Sequence, residues 1–394
     1  MYEIFADLHI HIGRSENGKP IKITAARSLN FANIAKECAD RKGINVAGII
    51  DCASPYVIED IENFLKTGEA YEIEDGGIIY KDKVCILLGS EVETSEKGRN
   101  GKCGSAHNVC FFPHLKDIKG FSEELSHHLK NITLSTQRTD LSGYELIDIV
   151  EKYNGILIPA HVFTPHKSYY GNCTDRLKDI FKNKFNKIFA IELGLSSDTY
   201  LADTISELET KTFLTNSDAH SLPKIAREYN KMQVKNISFK EIVRALKNEG
   251  ERKVIANYGL DPKLGKYHRT YCDDCEKSIE TKEPVETCPM CGGKNVTFGV
   301  FDRIELIKDK KQTNSPKNRP PYIYQVPLGF IPGVGGKTIE KLLNTFETEM
   351  NILHKLSKDD IESVVGEKIS NYIVKARERR NANSIRWWTE IMGR

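Results

Sequence analysis

Short apolar runs recur through the first half of the chain, and they keep ending in residues that bind metal. The runs Tyr2–His9, Val46–Asp51, Val84–Glu91, His107–Phe112, Gly155–His161, Ile188–Leu193 and Thr212–Asp218 read as seven β-strands. Asp7, His9 and His11 stand at the end of the first, Asp51 at the second, Glu91 and Glu93 at the third, His161 at the fifth, Glu192 at the sixth, and Asp218 and His220 at the seventh, while His107 opens the fourth. Ordinary strands end in turn residues. One histidine near a strand end is usually structural, but repetition at six of seven ends points to a shared site.

Helical stretches alternate with these runs. Ile34, Ala35, Cys38 and Ala39 recur at helical spacing and Gly43 supplies a stop, so a βαβ unit opens the chain. Such alternation predicts an α/β fold with a mainly parallel sheet. If the strands close into a barrel, their C-terminal ends meet at one rim, where side chains from distant segments converge. Imidazole and carboxylate at that density suit Zn, Mn or Fe.

The 394 residues allow roughly two to three domains at about 100–200 residues each. With 39% hydrophobic and 28% charged residues, a membrane span, a collagen and a wholly disordered chain are excluded as readings. The start, Met1-Tyr2-Glu3-Ile4-Phe5, has neither a basic region nor an apolar stretch, so no leader or anchor is expected and the cytoplasm, in association with the nucleoid, is the expected location. Without a leader, the ten cysteines are expected to stay reduced or to bind metal. The net charge of +2 favours no partner, but residues 301–394 carry 17 Lys and Arg against 12 Asp and Glu, so the basic excess lies in the tail.

Near residue 258 the alternation ends. We expect a catalytic unit over 1–258, a cysteine module over 259–307, a charged and Pro-rich linker over 308–326, and a helical unit over 327–394. Cys272-x2-Cys275 and Cys288-x2-Cys291 form two knuckles that suit one four-thiolate zinc. A closed thiolate set is structural; it either braces a short segment or presents a surface to nucleic acid.

Asp7-Leu8-His9-Ile10-His11, Gly89-Ser90-Glu91, Pro159-Ala160-His161 and Ser217-Asp218-Ala219-His220 resemble the metal motifs of the PHP (polymerase and histidinol phosphatase) superfamily. That resemblance implies a distorted seven-stranded (β/α) barrel holding two to three divalent ions, Zn, Mn or Mg. It implies His9, His11, Glu91, His107, His161, Asp218 and His220 as ligands, with Glu91 bridging and with Asp7, Asp51 and Glu192 as supporting or additional ligands. Asp218, His220, Glu91, His9 and His11 are then the catalytic set. Two positions depart from the family pattern: Cys52 follows Asp51 where members often have histidine, and Arg14, Ser15 and Glu16 stand where many have another. One of the three metal positions is therefore expected to be altered or weaker.

Ile191-Glu192-Leu193-Gly194-Leu195-Ser196-Ser197-Asp198, the segment Ser217–Ser221 with Ala226-Arg227-Glu228, and the order of barrel, cysteine module and basic tail resemble the endonuclease Q branch in particular. This resemblance implies nicking of DNA 5′ to deaminated bases (uracil, hypoxanthine, xanthine) or abasic sites, leaving 3′-hydroxyl and 5′-phosphate ends. A sliding clamp or repair factors are the protein partners it would suggest.

Ile331-Pro332-Gly333-Val334-Gly335-Gly336-Lys337-Thr338 resembles the hairpin of a helix-hairpin-helix, in which Gly333, Gly335, Lys337 and Thr338 would meet a DNA phosphate. The plain alternative is a glycine turn between helices. A phosphate-binding P-loop is excluded, because Ile331 occupies the position that needs its first glycine. Lys375, Arg377, Arg379, Arg380 and Arg386 with Trp387 and Trp388 form a basic aromatic end suited either to nucleic acid or to docking of the last helix. Phe163, His166, Tyr169 and Tyr170, in the loop after His161, are candidates to line a pocket for an extruded base. Two rivals keep part of this frame: a small-molecule phosphatase of the histidinol-phosphate kind, and a DNA-binding scaffold without catalysis.

Overall fold

The computed structural model describes residues 1–97 and 103–377. All seven apolar runs form strands. In chain order the described strands are β1 (Tyr2–Ile10), β2 (Val46–Ile49), β3 (Ala70–Glu72), β4 (Ile78–Tyr80), β5 (Val84–Lys97), β6 (Cys103–Phe112), β7 (Ile156–Pro159), β8 (Ala190–Glu192), β9 (Thr212–Leu214), β10 (Tyr229–Val234), β11 (Lys253–Gly259), β12 (Thr270–Cys272), β13 (Lys277–Ile279), β14 (Val296–Thr297) and β15 (Tyr322–Tyr324). The molecule is mixed α/β.

Strands β1, β2 and β5 run parallel, with Ala6 opposite Val46 and Gly48 opposite Leu87. Strand β6 departs from the parallel expectation. It pairs antiparallel with both β5 and β7, so that Glu93 faces His107. Parallel strands β8 and β9 form a separate pair, and backbone bonds near their ends link it to the rest: Val162 N donates to Glu192 O at 3.0 Å, and Ala219 N to His9 O at 3.2 Å. On the other side of β1, antiparallel β10 and β11 extend the sheet.

Side chains from all seven strands meet in one apolar cluster, including Ile4, Val46, Leu87, Phe111, Ile158, Ala190 and Leu214. Burial of that surface at roughly 25 cal/mol per Å² drives the arrangement. Gly48 allows the closest packing there: a Cβ on it would stand 2.8 Å from the Leu8 oxygen and 2.7 Å from the Phe111 ring. The helices on the flanks carry the local signals that their sequences predict. Ser142 and Glu145 cap the helix Gly143–Lys152 reciprocally, and Gly43, at a φ of 75°, ends the turn that follows helix Phe31–Glu37.

The segment 308–326, expected as a linker, is bonded to segments far back in the chain. Arg319 forms a buried ion pair with Asp203 at 2.8 Å, Asp309 accepts from Ser206 N at 2.8 Å, and β15 adds to β11 in parallel. Its charge and prolines suit a linker, and its charges have partners more than a hundred residues away. Beyond it come the helices Gly336–Phe346, Glu349–His354, Lys358–Val365 and Glu367–Arg377. They dock through Arg41 on Glu340, Lys42 on Glu349 at 2.8 Å, and the stacked rings of Phe5 and His354. Among the described residues no helix is long and apolar enough to cross a membrane.

Candidate metal centre

Alternation along β1 places Asp7, His9 and His11 on one face. Hydrogen bonds stitch the segment ends together: His11 N donates to Ala219 O at 3.1 Å, Ile12 N to Asp51 Oδ2 at 2.6 Å, and, between the ends of β5 and β2, Glu91 N to Ile50 O at 2.6 Å. Ala160 N donates to His107 O at 3.0 Å, which brings His161 beside β6.

Two groups of donors result, His9 with His11 and Asp218, and Glu91 with His107 and His161; within each, one atom per residue lies within 4.8 Å of the others. Glu91 stands between them. Its Oε1 is 2.9 Å from His107 Nδ1 and 3.5 Å from both His161 Nε2 and His9 Nε2, while its Oε2 is 3.7 Å from His11 Nε2. Asp218 Oδ1 lies 3.5 Å from His9 Nε2 and 3.3 Å from His11 Nε2. His220 belongs to neither group; its ring packs on His11 at 4.5 Å and its Nδ1 lies 3.0 Å from the Asp218 carbonyl.

The donor set fits divalent ions. His9 Nε2, which faces Glu91 and Asp218, is buried without a hydrogen-bond partner, a costly state for a polar atom that a metal bond would relieve. Burial alone would raise the Glu91 carboxyl, yet His107 and Lys22 hold it well below the usual range. Asp218 is likewise held low against burial by His11 and His9. His9 is pushed well above the usual imidazole value because Glu192, Glu91 and Asp218 outweigh its burial. A site that loads bare imidazoles with protons so readily has an excess of negative charge ready for metal.

The supporting acids face away from the cluster. Glu192 Oε2 is 2.8 Å from His9 Nδ1, and Asp51 Oδ2 is 3.1 Å from His11 Nδ1, so each turns the other ring nitrogen toward the donors. Asp51 also takes Ile12 N and the Ser135 hydroxyl, which leaves its oxygens occupied by protein. Asp7 accepts from the backbones of Ser217 at 3.0 Å and Ala226 at 2.9 Å, tying three segments together rather than facing the cluster. His161 and Asp218 both hold positive φ, 28° and 45°. His161 can do so beside Gly194, where a Cβ would lie 2.8 Å from its own.

Sequence reasoning missed Lys22. Its ammonium, only 15% exposed, is 3.0 Å from Glu91 Oε2 and donates to Thr136 Oγ1 at 2.5 Å; Thr136 in turn donates to Glu91 Oε2 at 2.8 Å. No motif marks Lys22, because its partner lies in a loop with no pattern of its own.

The expected base pocket needs correction. Phe163, Tyr169 and Tyr170 are fully buried; the two rings of Phe163 and Tyr170 stack at 5.0 Å, and the tyrosine hydroxyls donate to Asn108 and Glu207. These aromatic residues build the wall of the fold. His166 alone is exposed, and it meets the edge of Tyr267 in the cysteine module at 6.2 Å.

In that module β12 pairs with β13 and β14, and the four sulfurs gather: Cys272 to Cys291 at 3.6 Å, Cys275 to Cys288 at 3.8 Å. Tetrahedral zinc thiolates at 2.3 Å imply S···S separations of about 3.8 Å. Further on, Gly333 adopts a φ of 84° and helix Gly336–Phe346 starts without a side-chain cap, with Lys337 exposed and Thr338 bonded to the Gly333 oxygen at 3.2 Å. Arg379, Arg380, Arg386, Trp387 and Trp388 lie outside the described residues.

No family model matches the chain. It is 46% identical over 378 residues to the uncharacterized protein YqxK of Bacillus subtilis, covering 96% of this chain and 95% of that one. The lesion-specific endonuclease PfuEndoQ from Pyrococcus furiosus is 32% identical, with a TM-score of 0.80 over 95% of this chain and 91% of its own. A second structure, endonuclease Q in complex with a 27-mer duplex carrying an abasic lesion at the active site, is 31% identical, with a TM-score of 0.79 over 95% and 92%.

Proposed function

Because the chain belongs to the endonuclease Q family of PHP-type proteins, we propose that it is a metal-dependent DNA repair endonuclease that cuts 5′ to deaminated bases or abasic sites and leaves 3′-hydroxyl and 5′-phosphate ends. The observation that carries this reading is Glu91 standing between two groups of metal donors in a chain that matches a lesion-specific endonuclease over 95% of its length.

When bound, divalent ions would lower the pKa of water and offset the charge that builds on the phosphate. The chain's own residues fix the rest. His9, His11 and Asp218 hold one position, and Glu91, His107 and His161 the other; Glu192 and Asp51 keep the histidine rings turned inward. We read the bonds on either side of β8 and β9 as supporting closure of the seven strands into a barrel, with this site at its rim. DNA would run past His166 and the cysteine module, with Gly333, Gly335, Lys337 and Thr338 offering a helix N-terminus to a phosphate of the flanking duplex. A damaged base is turned out at less cost than a paired one, which supports selectivity for lesions.

The test is to map nicks at nucleotide resolution in labelled duplexes holding uracil, hypoxanthine, xanthine, an abasic site or no lesion, with Mg, Mn or Zn in turn. A lesion-dependent cut on the 5′ side, lost in Asp218→Ala while DNA binding persists, is expected. Cutting indifferent to lesions, or turnover of small phosphomonoesters alone, overturns the repair reading.

A further inference from the structure

Asp218 turns its donor oxygen to His9 and His11 from a strained stretch of backbone, and one arginine grips that stretch from behind. Arg227 Nε donates to the Ser217 oxygen at 2.7 Å, and its Nη2 lies 3.5 Å from the Asp218 oxygen. The other side of Ser217 is held as well, since Asp7 accepts from Ser217 N at 3.0 Å and from Ala226 N, next to Arg227, at 2.9 Å. Asp218 at a φ of 45° and Ala226 at 58° bear the strain of this arrangement.

These contacts use one edge of the guanidinium. Nε and Nη2 share the side edge, so the end of the fork is left over, and Nη1 has no partner among the described residues. With Ser221 and Lys224, Arg227 lines a cavity of about 440 Å³ between the metal centre and the residues Leu328 to Phe330 that open the helical unit. The three acids on the cavity wall are already spent, Glu37 and Glu340 on Arg41 at 3.4 and 2.6 Å, and Glu349 on Lys42 at 2.8 Å. Arg227 and Lys224 therefore bring positive charge that no carboxylate of the wall neutralises.

We infer that Arg227 is a substrate-binding residue whose free fork takes two oxygens of a DNA phosphate adjacent to the one that is cut. A planar fork matches two phosphate oxygens, which the point charge of a lysine does not. The carbonyls of Ser217 and Asp218 aim it, so the turn that places a metal donor also places the DNA backbone. Phosphoryl chemistry needs that registration, because a small displacement of the reacting atoms costs much of the rate. The inference rests on the proposed DNA substrate.

The experiment pairs a protein change with a DNA change. Full-length wild type, Arg227→Ala and Arg227→Gln are tested on lesion duplexes in which one phosphate at a time, on either side of the cut, is a neutral methylphosphonate. Anisotropy gives the affinity and nicking gives kcat and KM. In the wild type one methylphosphonate adjacent to the cut should weaken binding about tenfold. Both variants should bind the unmodified duplex about tenfold more weakly, lose nothing further at that position and lose as much as the wild type at the others. Their slope of log affinity against log salt should be shallower by about one. An arginine that only braces the Asp218 turn would lower metal content and kcat on every duplex alike; that pattern, or independent losses at the adjacent phosphates, overturns the inference. If Arg227→Ala does not fold, Arg227→Gln, which keeps an N–H for the Ser217 oxygen, supplies the comparison. A wild type indifferent to a methylphosphonate beside the lesion overturns the inference without any variant. A wild type that shows the coupling in binding yet nicks no lesion refutes the repair function and leaves the Arg227 assignment standing.

Discussion

Glu192 Oε2 lies 2.8 Å from His9 Nδ1, and that one contact decides which nitrogen of the His9 ring faces Glu91 and Asp218. The partners are 183 residues apart in the chain and both are fully buried. A carboxylate behind a ligating imidazole fixes its tautomer and raises its basicity. Replacing Glu192 with alanine should weaken metal binding by about 10–100-fold, read by competition with a chromophoric chelator, while the circular dichroism of the folded chain stays unchanged.

Burial pushes the Glu228 carboxyl up to about 8, so the folded protein keeps a proton that the unfolded chain releases above 4.5. Stability from this group is complete below 4.5 and falls as pH rises towards 8, by about 1.4 kcal/mol per pH unit. Glu228→Gln keeps the acceptor for Leu260 N and removes the titration. Urea midpoints measured across that window should therefore decline less steeply for the variant than for the wild type; equal slopes would refute the assignment.

The knuckle region of the cysteine module, residues 270–297, has little apolar core of its own, Ile279, Cys272 and Cys288 with a few half-buried neighbours, whereas Val300, Ile304 and Ile307 belong to the main core. Burial opposes ionisation of Cys288, yet the N–H groups of Cys291 and Met290 draw its thiol down to about 7, which favours the thiolate that metal needs. Cys288→Ser should remove one ion per chain and open residues 270–297 to limited proteolysis. A module that stays protected without its ion would show that packing alone holds it.

Tyr170 donates to Glu207 at 2.6 Å in a site closed to solvent. Tyr170→Phe should cost about 1–2 kcal/mol of stability and leave the ranking of DNA lesions unchanged. A change in lesion preference at constant stability would restore this residue to the base pocket.

Much of the site was legible from spacing. His9 and His11 alternate along a strand, Asp218 and His220 repeat that step, and the two cysteine knuckles carry their ligand geometry in their intervals. The role of Glu192 was half legible, since its place at a strand end was visible and its partner was not. Misreadings came where composition stood in for position. Phe163, Tyr169 and Tyr170 look like pocket residues in a loop, but the two tyrosine hydroxyls have buried partners and the Phe163 ring stacks on Tyr170, so all three pack inward. Arg319 reads as part of a charged linker, and it is nearly buried against Asp203.

The sequence by itself determined the strands, the metal-donor residues at their ends and the four-cysteine cluster, because these depend on periodicity and on intervals of a few residues, which local chain geometry enforces. Only the tertiary structure decided what each end faces. Lys22 and Thr136 are 114 residues apart, and His9 and Glu192 are 183 apart. Such pairs form because burial of the shared core fixes the strand order and register; once those are set, the polar groups left inside must take as partners whichever residues the fold has placed beside them.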